Sequence, residues 1–223
     1  MEDLEGGAIA NADEKRQVGH YWLRQPQLAP DQHVGASISA EIDAIDQFGK
    51  SILSGSIQAP NGKPFTDVLW IGIGGSALGP LLMVRALQDL QVGLPFHFFD
   101  NVDPNGMSRV LAGLGERLHT TLVITVSKSG GTPEPHLGME QARHRVEALG
   151  GNWPEQAVVV TMAGSMPSYD IVQPSAWDAM EPTDQLVSAA KDAVVVYGSL
   201  AQRDARSRAA ITAASNAAAK RVF

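Results

Sequence analysis

Residues 67–80 read DVLWIGIGGSALGP, and this stretch decides the fold. Asp67 to Ile73 is an apolar run of strand length, Gly74-Gly75-Ser76 interrupts it, and an apolar helix follows through about Leu90. The same alternation continues downstream. Leu94 to Phe99 (LPFHFF) reads as a second strand and Met107 to Leu114 as a helix. Thr121 to Val126 (TLVITV) is a third strand that runs into SKSGGTPE. A helix from there ends at Leu149 with Gly150 as its C-terminal cap, and Ala157 to Met162 (AVVVTM) is a fourth strand. Continuous apolar strands alternating with helices predict a parallel sheet covered on both faces. Because such crossovers are right-handed, the expected fold is α/β, a doubly wound parallel sheet of about five strands flanked by helices, with Ala193 to Tyr197 as the fifth.

Upstream of this block, Ile38, Ile42, Ile45, Phe48 and Ile52 recur at helical spacing from Ser37, and Gly55 offers a stop. The loop Ala59-Pro60-Asn61-Gly62-Lys63-Pro64 then marks a boundary. The expected organisation is a helical N-terminal arm over 1–60, a ligand-binding domain over 61–165, and a partly helical tail over 166–223. Residues 1–17 have no apolar period and are expected to be frayed, and 200–220 are Ala-rich enough for a plain surface helix. There is no internal repeat and no low-complexity tract.

Composition narrows the function classes. A chain of 223 residues and 23.7 kDa can bury roughly 70% of its surface, enough for a full-sized core. With no cysteine, disulfides, thiolate zinc sites and cysteine nucleophiles are excluded. A net charge of −7 argues against a nucleic-acid surface, while leaving room for one short anion pocket. No apolar run approaches the ~18–20 residues of a membrane span, and the polar start MEDLEGGAIANADEKR is unlike a secretory signal. The expectation is a cytoplasmic protein without a metal site. The six histidines form no HExxH motif: His97 reads as a buried strand residue, His20 as packing beside Tyr21-Trp22, and His136 and His144 as surface positions of one helix.

Ligands of open parallel sheets sit beyond the carboxyl ends of the strands, near the point where strand order reverses. Two loops here suit an anion at that edge. Gly72-Ile73-Gly74-Gly75-Ser76 lets the backbone approach a ligand and opens a helix, whose first-turn amides carry about half a positive charge. Ser127-Lys128-Ser129-Gly130-Gly131-Thr132 supplies three hydroxyls and an ammonium ahead of a helix that starts with Pro133. A phosphate monoester carries about −1.5 to −2 charge and three acceptor oxygens, which matches that inventory. The plainer reading of Ser76 and Thr132 is as helix caps, although three hydroxyls exceed what one cap needs. Lys128 could equally face solvent or a carboxylate. Glu134 is the one candidate for proton transfer in these loops. Beside an anion it would be repelled, so facing away along the helix dipole is the better reading. Asp100, Asn101 and Asp103 either bind a polar group or simply form the turn Asp103-Pro104-Asn105-Gly106.

The pattern Gly72-x-Gly74-x-x-Ala77 also satisfies the alanine-ended dinucleotide fingerprint, with Asp100 after the next strand, so a nicotinamide-dependent oxidoreductase domain is an alternative. It gives no reason for a second hydroxyl-rich loop.

Taken together, VLWIGIGGSALGP, FFDNVDPNGMSR and TVSKSGGTPEPHLGMEQAR resemble the phosphoglucose isomerase (glucose-6-phosphate isomerase) family, particularly its bacterial and cyanobacterial type. HYWLR and VVVTMAGS are similar too, so the resemblance covers about residues 18–165. It implies the sugar-isomerase (SIS) fold, a five-stranded parallel sheet between helices. It also implies interconversion of glucose 6-phosphate and fructose 6-phosphate through a cis-enediol without metal or cofactor, and a homodimer. Carried over by motif, the phosphate-binding positions would be Gly75, Ser76, Ser127, Lys128, Ser129 and Thr132, with Glu134 matching a glutamate near the phosphate loop and not the base. The family's GGR-type arginine motif, catalytic glutamate, histidine and C-terminal lysine motif have no counterpart here. The resemblance therefore implies an N-terminal piece inactive alone, or else a non-catalytic sugar-phosphate-binding module.

Overall fold

Two apolar runs long enough to be buried on both sides, DVLWI and TLVITV, become the central strands. In a computed structural model, which describes residues 2–13, 15–87, 93–161 and the strand Val195–Gly198, the elements follow in this order. Helix α1 (Glu2–Glu5), strands β1 (Ile9–Asn11) and β2 (Arg16–Gln17), and helix α2 (Gln32–Leu53) form the N-terminal part. Then come β3 (Asp67–Ile71), α3 (Gly75–Leu87), β4 (Phe96–Phe99), α4 (Pro104–Leu114), β5 (Thr121–Val126), α5 (Pro133–Ala148), β6 (Ala157–Thr161) and β7 (Val195–Gly198).

The main sheet has the order β4-β3-β5-β6-β7. Its first four strands are parallel, with Ile71 beside both Phe99 and Thr125. The fifth strand departs from the all-parallel sheet expected: β7 runs antiparallel to β6, pairing Val159 with Tyr197 and Thr161 with Val195. A short apolar run carries no direction in its pattern; the connection sets direction, and an antiparallel edge on a parallel sheet is common. The rest of the expected tail, including the helix over 200–220, lies outside the described residues.

Side chains alternate across the sheet, and the two faces are covered differently. On one face Leu69, Ile71, Phe99, Val123 and Val159 pack under α4 and α5, against Met107, Leu111, Met139, Ala142 and Val146. On the other, Leu122 and Val158 meet Ile52 of α2 together with Ile57, Ala59 and Phe65. Burial of this kind contributes about 25 cal/mol per Å² of apolar surface.

Local chemistry explains several boundaries. Asp31 caps α2 by accepting from the His33 amide at 2.7 Å, and Gly55, at φ +72°, ends its turn. α4 starts at Pro104, three residues before the expected Met107. Asp103 is its N-cap and accepts from Asn105 and Gly106 amides at 3.1 and 2.9 Å. Residues 1–17 are not frayed throughout: β1 and β2 pair as a small exposed ladder, and Gln17 Nε2 donates to Gly7 O at 2.8 Å. An exposed ladder shows no apolar period because neither face is buried.

At the amino end of the sheet, Asp67 (1% exposed) draws two of its three side-chain partners from distant segments and one from its neighbour. Its carboxylate bonds to His97 Nε2 at 2.8 Å, to the Arg117 guanidinium, and accepts from Thr66 Oγ1 at 2.9 Å. His97 is therefore half-buried and paired, not enclosed as expected. In the N-terminal arm Trp22 is the packing residue, while His20 is exposed beside Tyr21. On α2, burial without a partner for Oε1 pushes the Glu41 carboxyl up from its ordinary 4.5 to about 7.

Candidate functional site

β3 leads to β4 on one side, whereas β5 returns to β3's other side, so strand order reverses between β3 and β5. This is the 2-1-3-4-5 order, in which the crevice beyond the carboxyl ends of the first and third strands receives the ligand. The dinucleotide alternative loses its topological support here. That fold places its third strand beyond the second, whereas β5 pairs with β3. Asp100, the acid which that reading needs, accepts from Asn101 Nδ2 at 2.7 Å, while Asn101 Oδ1 accepts from the Asp103 amide at 2.8 Å. The turn-and-cap reading of these residues prevails.

The two loops singled out by sequence leave adjacent strands at the same level. Ile71 and Thr125 are in register, and parallel neighbours lie about 4.8 Å apart. After β3 the chain turns sharply. Gly72 N donates to Phe99 O at 3.0 Å, and a Cβ on Gly72 would stand 2.9 Å from Ser76 O. That carbonyl is held by Trp70 Nε1 at 2.8 Å. Gly74 takes φ +55°, and Ser76 and Ala77 amides bond to Ile73 and Gly74 carbonyls. Gly75 and the half-buried Ser76 are thereby the first residues of α3. A Cβ on Gly75 would meet no atom within 4 Å, so the space beside it is open.

The loop after β5 is organised around Thr132. Ser127 Oγ donates to Thr132 Oγ1 at 3.1 Å, and Ser129 Oγ lies 3.4 Å from it. Ser127 is buried at the strand end, while Lys128 and Ser129 are exposed. Gly130, at φ +69°, makes the bend, and Gly131 N donates to Ser129 Oγ at 3.3 Å. Thr132 occupies the N-cap position of α5, yet its side chain makes no capping hydrogen bond. Its hydroxyl joins the other two instead, which weakens the cap-only reading. Two serine hydroxyls gathered on that of Thr132, beside a helix start and an ammonium, can turn three or four donors to the oxygens of one anion. Pro133 and Pro135 remove two amides from that helix start, so the hydroxyls would carry the larger share.

Glu134 is half-buried in the first turn of α5, where a carboxylate complements the helix dipole. His136 is half-buried and His144 exposed.

Two supports escaped sequence reading. Thr161 Oγ1, on β6, donates to Lys128 O at 3.4 Å and braces the loop from the neighbouring strand. Gly138 lies against the sheet: a Cβ there would come within 2.9 Å of Ile71 Cγ2, so glycine lets α5 approach β3 closely. An isolated Gly in a helical pattern is the only sign of that in the sequence. Among the described residues no group of three or more His, Cys, Asp or Glu is placed to hold a metal ion, and no helix is long and apolar enough to cross a membrane.

Comparison with known proteins agrees with this arrangement. The chain is 73% identical over 165 residues to a glucose-6-phosphate isomerase of Parasynechococcus marenigrum (strain WH8102), covering 74% of this chain and 30% of the relative. It is 72% identical over 165 residues to that of Prochlorococcus marinus (strain MIT 9313), again covering 30% of the relative. The crystal structure of a glucose-6-phosphate isomerase from Chlamydia trachomatis superimposes with a TM-score of 0.60 at 27% identity, over 77% of this chain and 35% of that one. The chain thus spans about 30% of the length of the curated relatives it matches. Residues 1–166 match the family model described as phosphoglucose isomerase, and the chain belongs to that family.

Proposed function

We propose that this chain supplies the sugar-phosphate anchor of a glucose-6-phosphate isomerase. In this reading the phosphate of a hexose 6-phosphate lies in the crevice between Gly75-Ser76 and the 127–132 loop. The observation that carries it is the pairing of β3 with β5, which sets both loops at one edge, together with the hydroxyl cluster around Thr132. Residues 61–165 bear the site, with 1–60 as an arm and 166–223 as a divergent tail.

Each group has a definable part. Ser76, Ser129 and Thr132 donate hydrogen bonds to phosphate oxygens, Ser127 turns its one hydroxyl proton from Thr132 to the phosphate on binding, Gly75 brings backbone amide within reach, and the Lys128 ammonium offsets the dianion. Holding the phosphate fixes a six-carbon substrate by one end, which places C1 and C2 at a set distance. That positioning lowers the entropic part of the barrier for a proton moved from C2 to C1 through a cis-enediol. The transfer is redox-neutral overall and calls for no cofactor. Glu134, in the first turn at the phosphate end, serves the helix dipole, and the base comes from a segment with no counterpart here. A cytoplasmic setting, and a homodimer of complete chains, go with the same reading.

Titration calorimetry combined with a coupled turnover assay tests it. Glucose 6-phosphate, fructose 6-phosphate and 6-phosphogluconate should bind, glucose should not, and turnover should be negligible. Binding that ignores the phosphate overturns the anchor, and turnover near that of a full-length relative would locate the base within these 223 residues.

A further inference from the structure

α3 carries a proline where its own hydrogen-bond ladder calls for an amide. In an α-helix the amide four residues on donates to each carbonyl, so the carbonyl of Ser76 would receive from position 80. That position is Pro80, which has no N–H and whose ring crowds the same carbonyl. The donor comes from the sheet instead: Trp70 Nε1, on β3, reaches Ser76 O at 2.8 Å. Side chains alternate along the strand, so Leu69 and Ile71 face α4 and α5 while Trp70 stands on the opposite side.

The turn between them is shaped to the same contact. A Cβ on Gly72 would stand 2.9 Å from Ser76 O and 3.1 Å from Ser76 C, pressing on the carbonyl that the indole holds. The other end of that peptide unit, the Ala77 amide, donates to Gly74 O at 3.0 Å. The peptide after Ser76 is thus fastened at both atoms, its amide by the turn and its carbonyl by the strand. A peptide so held cannot rotate, which fixes ψ at Ser76 and the direction in which its side chain leaves the backbone. The indole itself is half-buried, with its ring centroid 6.4 Å from that of Phe96.

We propose that Trp70 is a positioning residue for the phosphate site: its indole replaces the amide that Pro80 lacks and holds Ser76 in the orientation that meets the anion. The proposal rests on the anchor reading of Ser76 and adds to it a residue that touches no ligand.

The test is a double-mutant cycle on this chain, read by calorimetry with 6-phosphogluconate. Trp70→Phe keeps an aromatic ring against Phe96 and deletes the N–H. It should weaken binding about fivefold, the net contribution of one neutral hydrogen bond. Pro80→Ala gives α3 back its own amide, so in that background Trp70→Phe should weaken binding less than about twofold. A role in packing alone predicts the same loss in both backgrounds, and that result overturns the proposal. So does an affinity that Trp70→Phe leaves unchanged. The second measure needs no variant. In the isotope-labelled chain the Trp70 indole N–H signal should shift during titration with glucose 6-phosphate, with the dissociation constant of the Ser76 amide, and glucose should leave it in place. An indole that stays still while the Ser76 amide moves overturns the proposal even where Trp70→Phe does not fold. Failure of the anchor reading looks different: the unsubstituted chain would bind neither sugar phosphate, and both claims would fall together.

Discussion

Gly75 offers a substitution for which the fold and the site predict opposite signs. Its backbone is not in the left-handed region, and a methyl there would meet no atom within 4 Å, so Gly75→Ala costs the folded state nothing in strain or contact. By restricting the unfolded chain at the first residue of a helix, it should stabilise by about 0.4–1 kcal/mol. For a chain of this size that raises the midpoint by about 1–4 °C. Ligand affinity should move the other way. The methyl would occupy space through which a phosphate oxygen reaches backbone amide, and one lost charge-assisted hydrogen bond is worth ~1.5–3 kcal/mol, roughly a 10- to 150-fold weakening. Scanning fluorimetry without ligand and calorimetry with glucose 6-phosphate read the two effects separately. A raised midpoint with unchanged affinity would show that the open side of Gly75 is not the ligand side. A lowered midpoint would refute the description of the turn itself. Gly74→Ala is the control, because at φ +55° a side chain is strained and stability should fall by about 1–2 kcal/mol.

Ser127→Ala and Thr132→Ala should each weaken 6-phosphogluconate binding by ~1.5–3 kcal/mol, and equal affinity in both variants contradicts the assigned loop. Asp67→Ala removes a buried carboxylate shared by His97, Arg117 and Thr66. His97 and Arg117 keep some access to water, so the loss should be about 2–3 kcal/mol, under the 3–5 of an enclosed pair, as measured by urea unfolding. Glu41 predicts a pH effect. With its folded pKa raised to about 7 from 4.5, its contribution is fully present below pH 4.5, is lost as pH rises towards 7, and is flat above. Glu41→Gln should remove that slope and stabilise the chain at pH 8 by at most about 3 kcal/mol, and an unchanged slope in urea titrations at pH 5 and pH 8 would reject it.

What could be read from sequence followed from periodicity. Thr121–Val126 has the bounds expected, and Asp67–Ile71 lies within its predicted run, because uninterrupted apolar runs between turn residues have few alternatives. The two loops were legible for the same reason: glycine and hydroxyl residues break the pattern at strand ends. Which strands stand side by side was not, since DVLWI carries no mark of preferring TLVITV to FHFF on a given flank. The antiparallel run of β7 was hidden likewise. Partners far apart in the chain were invisible: Asp67 meets His97 across 30 residues and Arg117 across 50. Asp103 was read as a turn residue when it is a helix cap, because both roles use the same side-chain acceptor for nearby amides. That Thr132 would turn its hydroxyl to Ser127 instead of its own helix could not be told from residue types.

The central claim is that two loops on neighbouring strands hold a single phosphate. Amide chemical shifts of the isotope-labelled chain, followed during titration with glucose 6-phosphate, address it directly. The account predicts that Gly74–Ala77 and Ser127–Gly131 shift together with one shared dissociation constant, while glucose moves neither. Response of one loop alone, or of the two with separate constants, would contradict it.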